Sequence, residues 1–207
     1  LVCKLRGAAG EQQVTGDRVL ICTGRTPNTD GLFAPGLNLG MHRGFLPTDK
    51  YGETAVAGIW AIGDVVLGGV ALAHAAEAGA ENAVNGMFGG PKLKNTAVIP
   101  ACVYTDPPIA CAGYTAEEAK AAGYAVQTEK SLTSANGRAV ILAAPRGFAK
   151  LVFDEATGRL LGAQLMAPNA DEMIGGLVLA ITAGLTRSQL QEVVWPHPTV
   201  SEILKLS

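Results

Sequence analysis

Near its C-terminal end the chain runs Trp195-Pro196-His197-Pro198-Thr199-Val200-Ser201-Glu202, an imidazole and a carboxylate set around two prolines. Each proline fixes its own φ near −65°, and Pro198 also pushes His197 out of α geometry into an extended conformation. A helical turn starting at Thr199 or Ser201 brings Glu202 back over the bend beside His197. A carboxylate against an imidazole selects one tautomer and raises its basicity, which is how a general acid-base histidine is tuned. Without context, the same residues also make a capped terminal turn whose histidine merely precedes a proline.

A second set lies in Gly58-Ile59-Trp60-Ala61-Ile62-Gly63-Asp64. The apolar run reads as a buried strand, and Gly63 removes a side chain where another body must approach closely. Asp64 then puts a carboxylate at the strand's C-terminal end, where open α/β sheets bind ligands. After the Gly68-Gly69 turn, residues Val70 to Met87 read as a helix, with Leu72, Ala75, Ala76, Gly79, Ala83, Val84 and Met87 recurring on one close-packing face. Its free N–H groups and positive dipole end can face the ligand that Asp64 faces. Taken singly, Asp64 fits a turn or N-cap and His74 a packed or surface histidine.

These residues need a globular scaffold, and the composition supplies one. The 207 residues are 48% hydrophobic and 16% charged with a net charge of −2, enough to bury a real core in one or two domains. There is no basic excess to attract nucleic acid and no unbroken apolar run long enough for a bilayer. The stretch beginning at Leu1 lacks a signal peptide's basic flank and apolar block, so the chain reads as cut from something longer. Cys3, Cys22, Cys102 and Cys111 form no close pair and fall in or beside apolar runs, which suggests reduced, buried thiols in a cytoplasmic protein. His42, His74 and His197 stand too far apart for a zinc site, so no metal is expected.

In chain order, Val19-Leu20-Ile21-Cys22 reads as a buried strand ending at Gly24, with turn chemistry from Thr26 to Gly31. Gly31 to Gly58 reads as loops and short edge strands. Gly89-Gly90-Pro91-Lys92 ends the helix at a domain junction. Strands are expected at 99–105 and 109–113, then at 124–130, 138–143, 148–154 and 159–166, as an antiparallel meander. Thr115-Ala116-Glu117-Glu118 and Thr186-x-x-Gln189 are capping boxes, the second opening a helix to Val194. Between them a helix over 171–184 carries Ile174, Leu177, Val178, Ile181 and Leu185 on one stripe, enough to cover a sheet face. The segment after it presents Leu190, Val193, Val194 and Trp195 to a partner.

Several separated stretches occur in one order: Thr-Gly-Arg-x-Pro-Asn (23–28), strand-Gly-Asp with Leu-Ala-His, Ile-Pro-x-x-x-Tyr-Thr-x-Pro, Ser-Ala-Asn-Gly-Arg (134–138), Gly-x-x-Lys-Leu-Val (147–152), Pro-Asn-Ala-x-Glu (168–172) and His-Pro-Thr-x-Ser-Glu. Together they resemble the C-terminal part of the FAD-dependent pyridine nucleotide-disulfide oxidoreductases, in particular the dihydrolipoamide dehydrogenase-like members. Pro108 departs toward glutathione reductase, and Ala75 stands where such chains commonly carry Lys. The resemblance implies an α+β fold: the end of a nicotinamide-binding domain over 1–26, the second segment of an α/β FAD-binding domain over 27–97 and a dimerisation domain over 98–207. It implies FAD and NAD as cofactors of the complete enzyme, with Asp64 on the ribityl chain and Ala71, Leu72, Ala73 and His74 at the flavin's pyrimidine edge. His197 and Glu202 become the acid-base pair serving the partner subunit's disulfide in a homodimer, with a cis His197-Pro198 peptide. The implied substrate is a small dithiol or disulfide, in one case on a lipoyl domain of a 2-oxo acid dehydrogenase complex. No Gly-x-Gly-x-x-Gly and no redox cysteine pair occurs, so the FAD site is incomplete in this chain. A sibling of the glutathione- or mercuric-reductase kind, or an oligomerisation module without catalysis, are the alternatives.

Overall fold

The computed structural model of the chain describes residues 1–8, 10–90, 94–144 and 146–206. Its centre is a five-stranded antiparallel sheet in the order β3-β4-β7-β6-β5, built from β3 (Ala101–Val103), β4 (Ile109–Gly113), β5 (Val126–Leu132), β6 (Phe148–Asp154) and β7 (Leu160–Met166). Alternation decides which face is buried: Ala149, Leu151 and Phe153 on β6, with Ala163 and Leu165 on β7, point into one core. Helix α4 (Ala170–Ala183) lays Ile174, Leu177 and Ala180 on that face, and Gly184 in left-handed geometry ends it. Helix α2 (Ala116–Ala121), opened by the Thr115–Glu118 capping box, covers Val152 on the opposite face with Ala116 and Ala119. This is the α+β architecture expected for the C-terminal half, and the helix over 171–184 forms within one residue of its expected bounds.

Some expectations fail. Residues 138–143 are not a strand; 137–141 form the short helix α3 (Gly137–Ile141), because the Asn136 carboxamide accepts the Ala139 amide at 2.8 Å and caps a first turn. Its apolar Val140 and Ile141 stay exposed. The sheet is not a simple meander, since β4 pairs with β7 rather than with β5. A Gly pair makes that possible: Gly113 opposes Gly162, and a methyl on Gly162 would sit 2.0 Å from the Tyr114 carbonyl oxygen. Helix α5 (Arg187–Gln191) starts at the expected capping box but stops short of Val194, and Leu190 turns into the core rather than toward a partner.

Ahead of this domain, a hairpin of β1 (Val2–Gly7) and β2 (Gly10–Thr15) pairs in continuous register, though nothing in the apolar pattern marks it. Val19 to Cys22 is not a buried strand: Leu20 is 88% and Ile21 78% exposed, and no described strand lies beside them. An apolar run becomes a strand only where a sheet receives it. Ile59 to Ile62 likewise makes an isolated bridge from Trp60 to Glu53 and ends in a 3-10 turn at Gly63–Val65. The helix expected over 70–87 is α1 (Ala73–Phe88). Its small residues do permit close approach: Gly79 faces Ile62 and Gly86 faces Tyr51, while Val84 and Met87 are exposed rather than packed. Cys22 and Cys111 are exposed, so the thiols are free but not all buried. Part of the expected junction, Pro91 and Lys92, lies outside the described residues.

Gly162→Ala should be among the most damaging single-methyl changes. The obstacle is the Tyr114 backbone just past the end of β4, which bonds to Leu161 and cannot easily yield, so a loss of about 3 kcal/mol is expected, read as a lowered urea midpoint. Gly175→Ala, whose added methyl meets nothing within 4 Å, is the control and should not lower it.

Candidate functional site

The last segment is fixed on both sides of His197. Before it, the Trp195 ring packs against the main core. After it, Val200, Ile203 and Leu204 in the 3-10 turn Val200–Leu204 are each 5% exposed or less and belong to that core. Between these anchors the chain bulges outward, the His197-Pro198 peptide is cis, as the resemblance implies, and the Thr199 hydroxyl donates to the Pro196 carbonyl at 2.8 Å.

This geometry brings Glu202 over the bend as the spacing suggests. Its carboxylate accepts the Thr199 amide at 3.0 Å and lies 3.0 and 3.1 Å from His197 Nδ1. A carboxylate only accepts, so the neutral imidazole must carry its proton on Nδ1 and leave the Nε2 lone pair free. The His197 side chain is 76% exposed while that of Glu202 is 21% exposed. The imidazole therefore faces outward and the carboxylate faces inward. The Thr199 amide first, and the His197 ring second, hold the Glu202 carboxyl below its ordinary value. A cleft of about 340 Å³ beside the pair is lined by Ser131, Leu132, Asn136, His197, Glu202 and Lys205.

Asn136 is the residue that sequence reasoning misses. It belongs to the Ser-Ala-Asn-Gly-Arg stretch, where only its N-cap bond to Ala139 is local; the partners of its Nδ2 lie more than sixty positions away, the carbonyls of Thr199 and Val200 at 3.1 and 3.3 Å. Pairings of that range leave no local signal.

The second set is brought together around the start of α1. Asp64 is on the 3-10 turn Gly63–Val65, and Gly63, at φ +72, approaches α1 so closely that a Cβ would stand 3.2 Å from that of Ala76. Arg25 Nη2 meets Asp64 Oδ2 at 2.9 Å, leaving Oδ1 without a partner among the described residues. The turn that follows Arg25 is packed against the chain near Gly44, since the Thr29 hydroxyl donates to the Gly44 carbonyl at 2.9 Å and Pro27 fills the space where a Gly44 Cβ would be. The amides of Ala71, Ala73 and His74 are likewise without partners among the described residues, whereas the Leu72 amide donates to Val70. The His74 ring turns away, its Nε2 2.7 Å from the Pro100 carbonyl at the entry to β3. It therefore donates there and ties α1 to the sheet domain.

Acid should undo the Glu202 contacts. A carboxyl with a depressed folded pKa stabilises the fold above its unfolded value, about 4.3 for glutamate, and loses that contribution as pH falls through the folded pKa. In a carboxyl-carbon NMR titration Glu202 should titrate below the ordinary glutamate range. His197→Ala should reduce that depression without abolishing it, because the Thr199 amide, its largest single cause, remains; full reversion would contradict the assignment.

Known proteins share this arrangement of segments. Residues 99–207 match the dimerisation-domain model of the pyridine nucleotide-disulphide oxidoreductases, and residues 5–80 match the model described as pyridine nucleotide-disulphide oxidoreductase. Dihydrolipoyl dehydrogenase of Rhizobium etli is 38% identical over 196 residues, covering 94% of this chain and 40% of the relative. The enzyme of the same name from Chlorobaculum tepidum is 41% identical over 195 residues, covering 94% of this chain and 41% of the relative. Among solved structures, the HOCl-induced flavoprotein disulfide reductase RclA from Escherichia coli, as its Cu(II) complex, superposes with a TM-score of 0.83 at 29% identity, over 97% of this chain and 46% of that one. LpdA from Mycobacterium tuberculosis superposes with a TM-score of 0.84 at 27% identity, with the same coverage. The chain thus spans about two fifths of the length of the curated relatives it matches.

Proposed function

The chain belongs to the pyridine nucleotide-disulphide oxidoreductase family, and on that premise we propose that it is the C-terminal part of a dihydrolipoamide dehydrogenase, oxidising a protein-borne or free dithiol at the expense of NAD. In this reading residues 1–26 end the nicotinamide-binding domain, 27–97 return to the FAD-binding domain and 98–207 pair two subunits. The observation that carries it is the His197–Glu202 contact, with Nδ1 held and Nε2 presented outward.

The chemistry needs such a group. A thiolate rather than a thiol attacks a disulfide, so the substrate's proton must be taken at neutral pH. His197 Nε2 accepts that proton, Glu202 stabilises the imidazolium that results, and the outward bulge presents the ring to a neighbouring subunit. The redox cysteines are not among this chain's residues.

The donor set around α1 fits part of a flavin. With Arg25 on its Oδ2, Asp64 would hold a ribityl hydroxyl through Oδ1, and the open amides of Ala71, Ala73 and His74 would hold the pyrimidine edge. Leu72 contributes position only, since its amide is already used, and the His74 ring serves the joint with Pro100 rather than the flavin. FAD, when bound, relays an electron pair between the disulfide and the nicotinamide. Free thiols at all four cysteines suit a cytoplasmic setting. Pro108 keeps a glutathione- or mercuric-reductase-like substrate as the second reading, and a substrate panel separates the two.

In the complete enzyme, His197→Ala should slow the half-reaction with dithiol by roughly 10²–10⁴-fold and leave the exchange between flavin and nicotinamide nearly unchanged. Glu202→Gln should act in the same direction, less severely. Equal losses in both half-reactions would make His197 structural.

The 207-residue chain by itself should purify without stoichiometric flavin and without NADH-linked turnover, because the pyrophosphate loop and the cysteine pair are not in it. A flavin absorbance band that persists through gel filtration would contradict this. In sedimentation at micromolar concentration it should still pair, through a surface that includes Val193 and Val194, exposed by 43% and 94%. A strictly monomeric species would remove the cross-subunit role from this chain.

A further inference from the structure

Asn136 is only 6% exposed and uses both ends of its side chain. Its Oδ1 accepts the Ala139 amide at 2.8 Å, and its Nδ2 donates to the Thr199 carbonyl at 3.1 Å and the Val200 carbonyl at 3.3 Å. The orientation of the carboxamide is fixed by these partners, since an amide proton needs the oxygen and two carbonyls need the nitrogen. Its own backbone is anchored as firmly. The Asn136 amide donates to the Thr133 carbonyl at 3.0 Å. Thr133, 3% exposed, accepts the Gly147 amide through its hydroxyl at 2.7 Å and donates that hydroxyl to the Gly147 carbonyl at 3.2 Å, at the threshold of β6.

A connected set of bonds therefore runs from the sheet through Thr133 and Asn136 to the two carbonyls that begin the last 3-10 turn. Those carbonyls belong to Thr199, whose amide Glu202 holds, and to Val200, the first residue of the turn that carries Glu202. We infer that Asn136 is a positioning residue for the proposed acid-base pair: it fixes where the turn starts and thereby sets the 3.0 Å approach of Glu202 to His197 Nδ1. The inference rests on the role proposed for His197 and adds a residue from a distant part of the chain. Hydrophobic anchoring by Val200, Ile203 and Leu204 holds the turn against the core but is non-directional. The Asn136 bonds give it a register.

Asn136→Asp separates this role from helix capping. The aspartate still accepts the Ala139 amide and is as good an N-cap, but it sets a carboxylate against two carbonyl oxygens. In the 207-residue chain, ¹⁵N imidazole NMR should show His197 losing its preference for the Nδ1-protonated tautomer, while the Ala139 amide remains slow to exchange. In the complete enzyme the dithiol half-reaction should slow about ten- to a hundredfold, the scale of a misplaced catalytic group, with a displaced pH profile and the flavin-nicotinamide half-reaction within about twofold. An unaltered His197 tautomer and an unaltered dithiol rate would overturn the inference. Should the variant not fold, the unsubstituted chain decides: both Asn136 Nδ2 protons must exchange slowly, and exchange at the solvent rate would overturn it as well. A shifted tautomer in Asn136→Asp combined with equal losses for His197→Ala in both half-reactions would leave Asn136 as the organiser of the turn and remove the catalytic reading instead.

Discussion

The burial of the last turn beneath the sheet is the interaction on which the rest depends. Val200, Ile203, Leu204 and Leu206 join the core built by β6, β7 and α4, so the final residues act as part of the domain rather than as a tail. A segment fixed in this way can carry an exposed, chemically competent side chain in a defined orientation. His197 takes that position: buried anchors come after it, a core-packed tryptophan precedes it, and the ring itself stands in solvent. Apolar burial supplies the energy of the arrangement, while hydrogen bonds from Thr199 and Asn136 supply its direction.

The two candidate centres use carboxylates in the same manner. Glu202 and Asp64 each have a nitrogen donor of this chain at about 3 Å, His197 for one and Arg25 for the other. In the first the held partner is an imidazole whose second nitrogen stands in solvent. In the second the carboxylate keeps one oxygen open, which suits an acceptor for a hydroxyl. Exposed ion pairs of the Arg25–Asp64 kind contribute little stability, so its significance lies in orientation. The His74 ring, through its bond to the Pro100 carbonyl, ties the helix beside Asp64 to the entry of the sheet that backs His197, while its amide stays open at the second centre.

Among the exposed large apolar side chains are two consecutive runs, Val19 to Ile21 and Val140 to Leu142. Both are runs that the alternation and β-branching of the sequence assign to strands. In the first, the described residues include no sheet to receive it. In the second, a local side-chain cap outcompetes strand formation.

Much of the site was legible without coordinates. Proline restraint around His197 and the spacing to Glu202 depend only on covalent geometry and one turn of helix, and both act over a short stretch of chain. The capping boxes at Thr115 and Thr186, the helix over 171–184 and the hairpin from Phe148 to Met166 were legible for the same reason, being local patterns with local causes. Tertiary structure decided what depends on distant neighbours. It made a helix of 137–141 and left 19–22 unpaired, it placed β4 against β7 through the Gly113 and Gly162 contact, and it turned Leu190 inward. It also gave Asn136, Arg25 and His74 their partners, at separations of 63, 39 and 26 residues. A sequence shows which residues can bond; only the folded chain shows which carbonyl or carboxylate stands within about 3 Å of each.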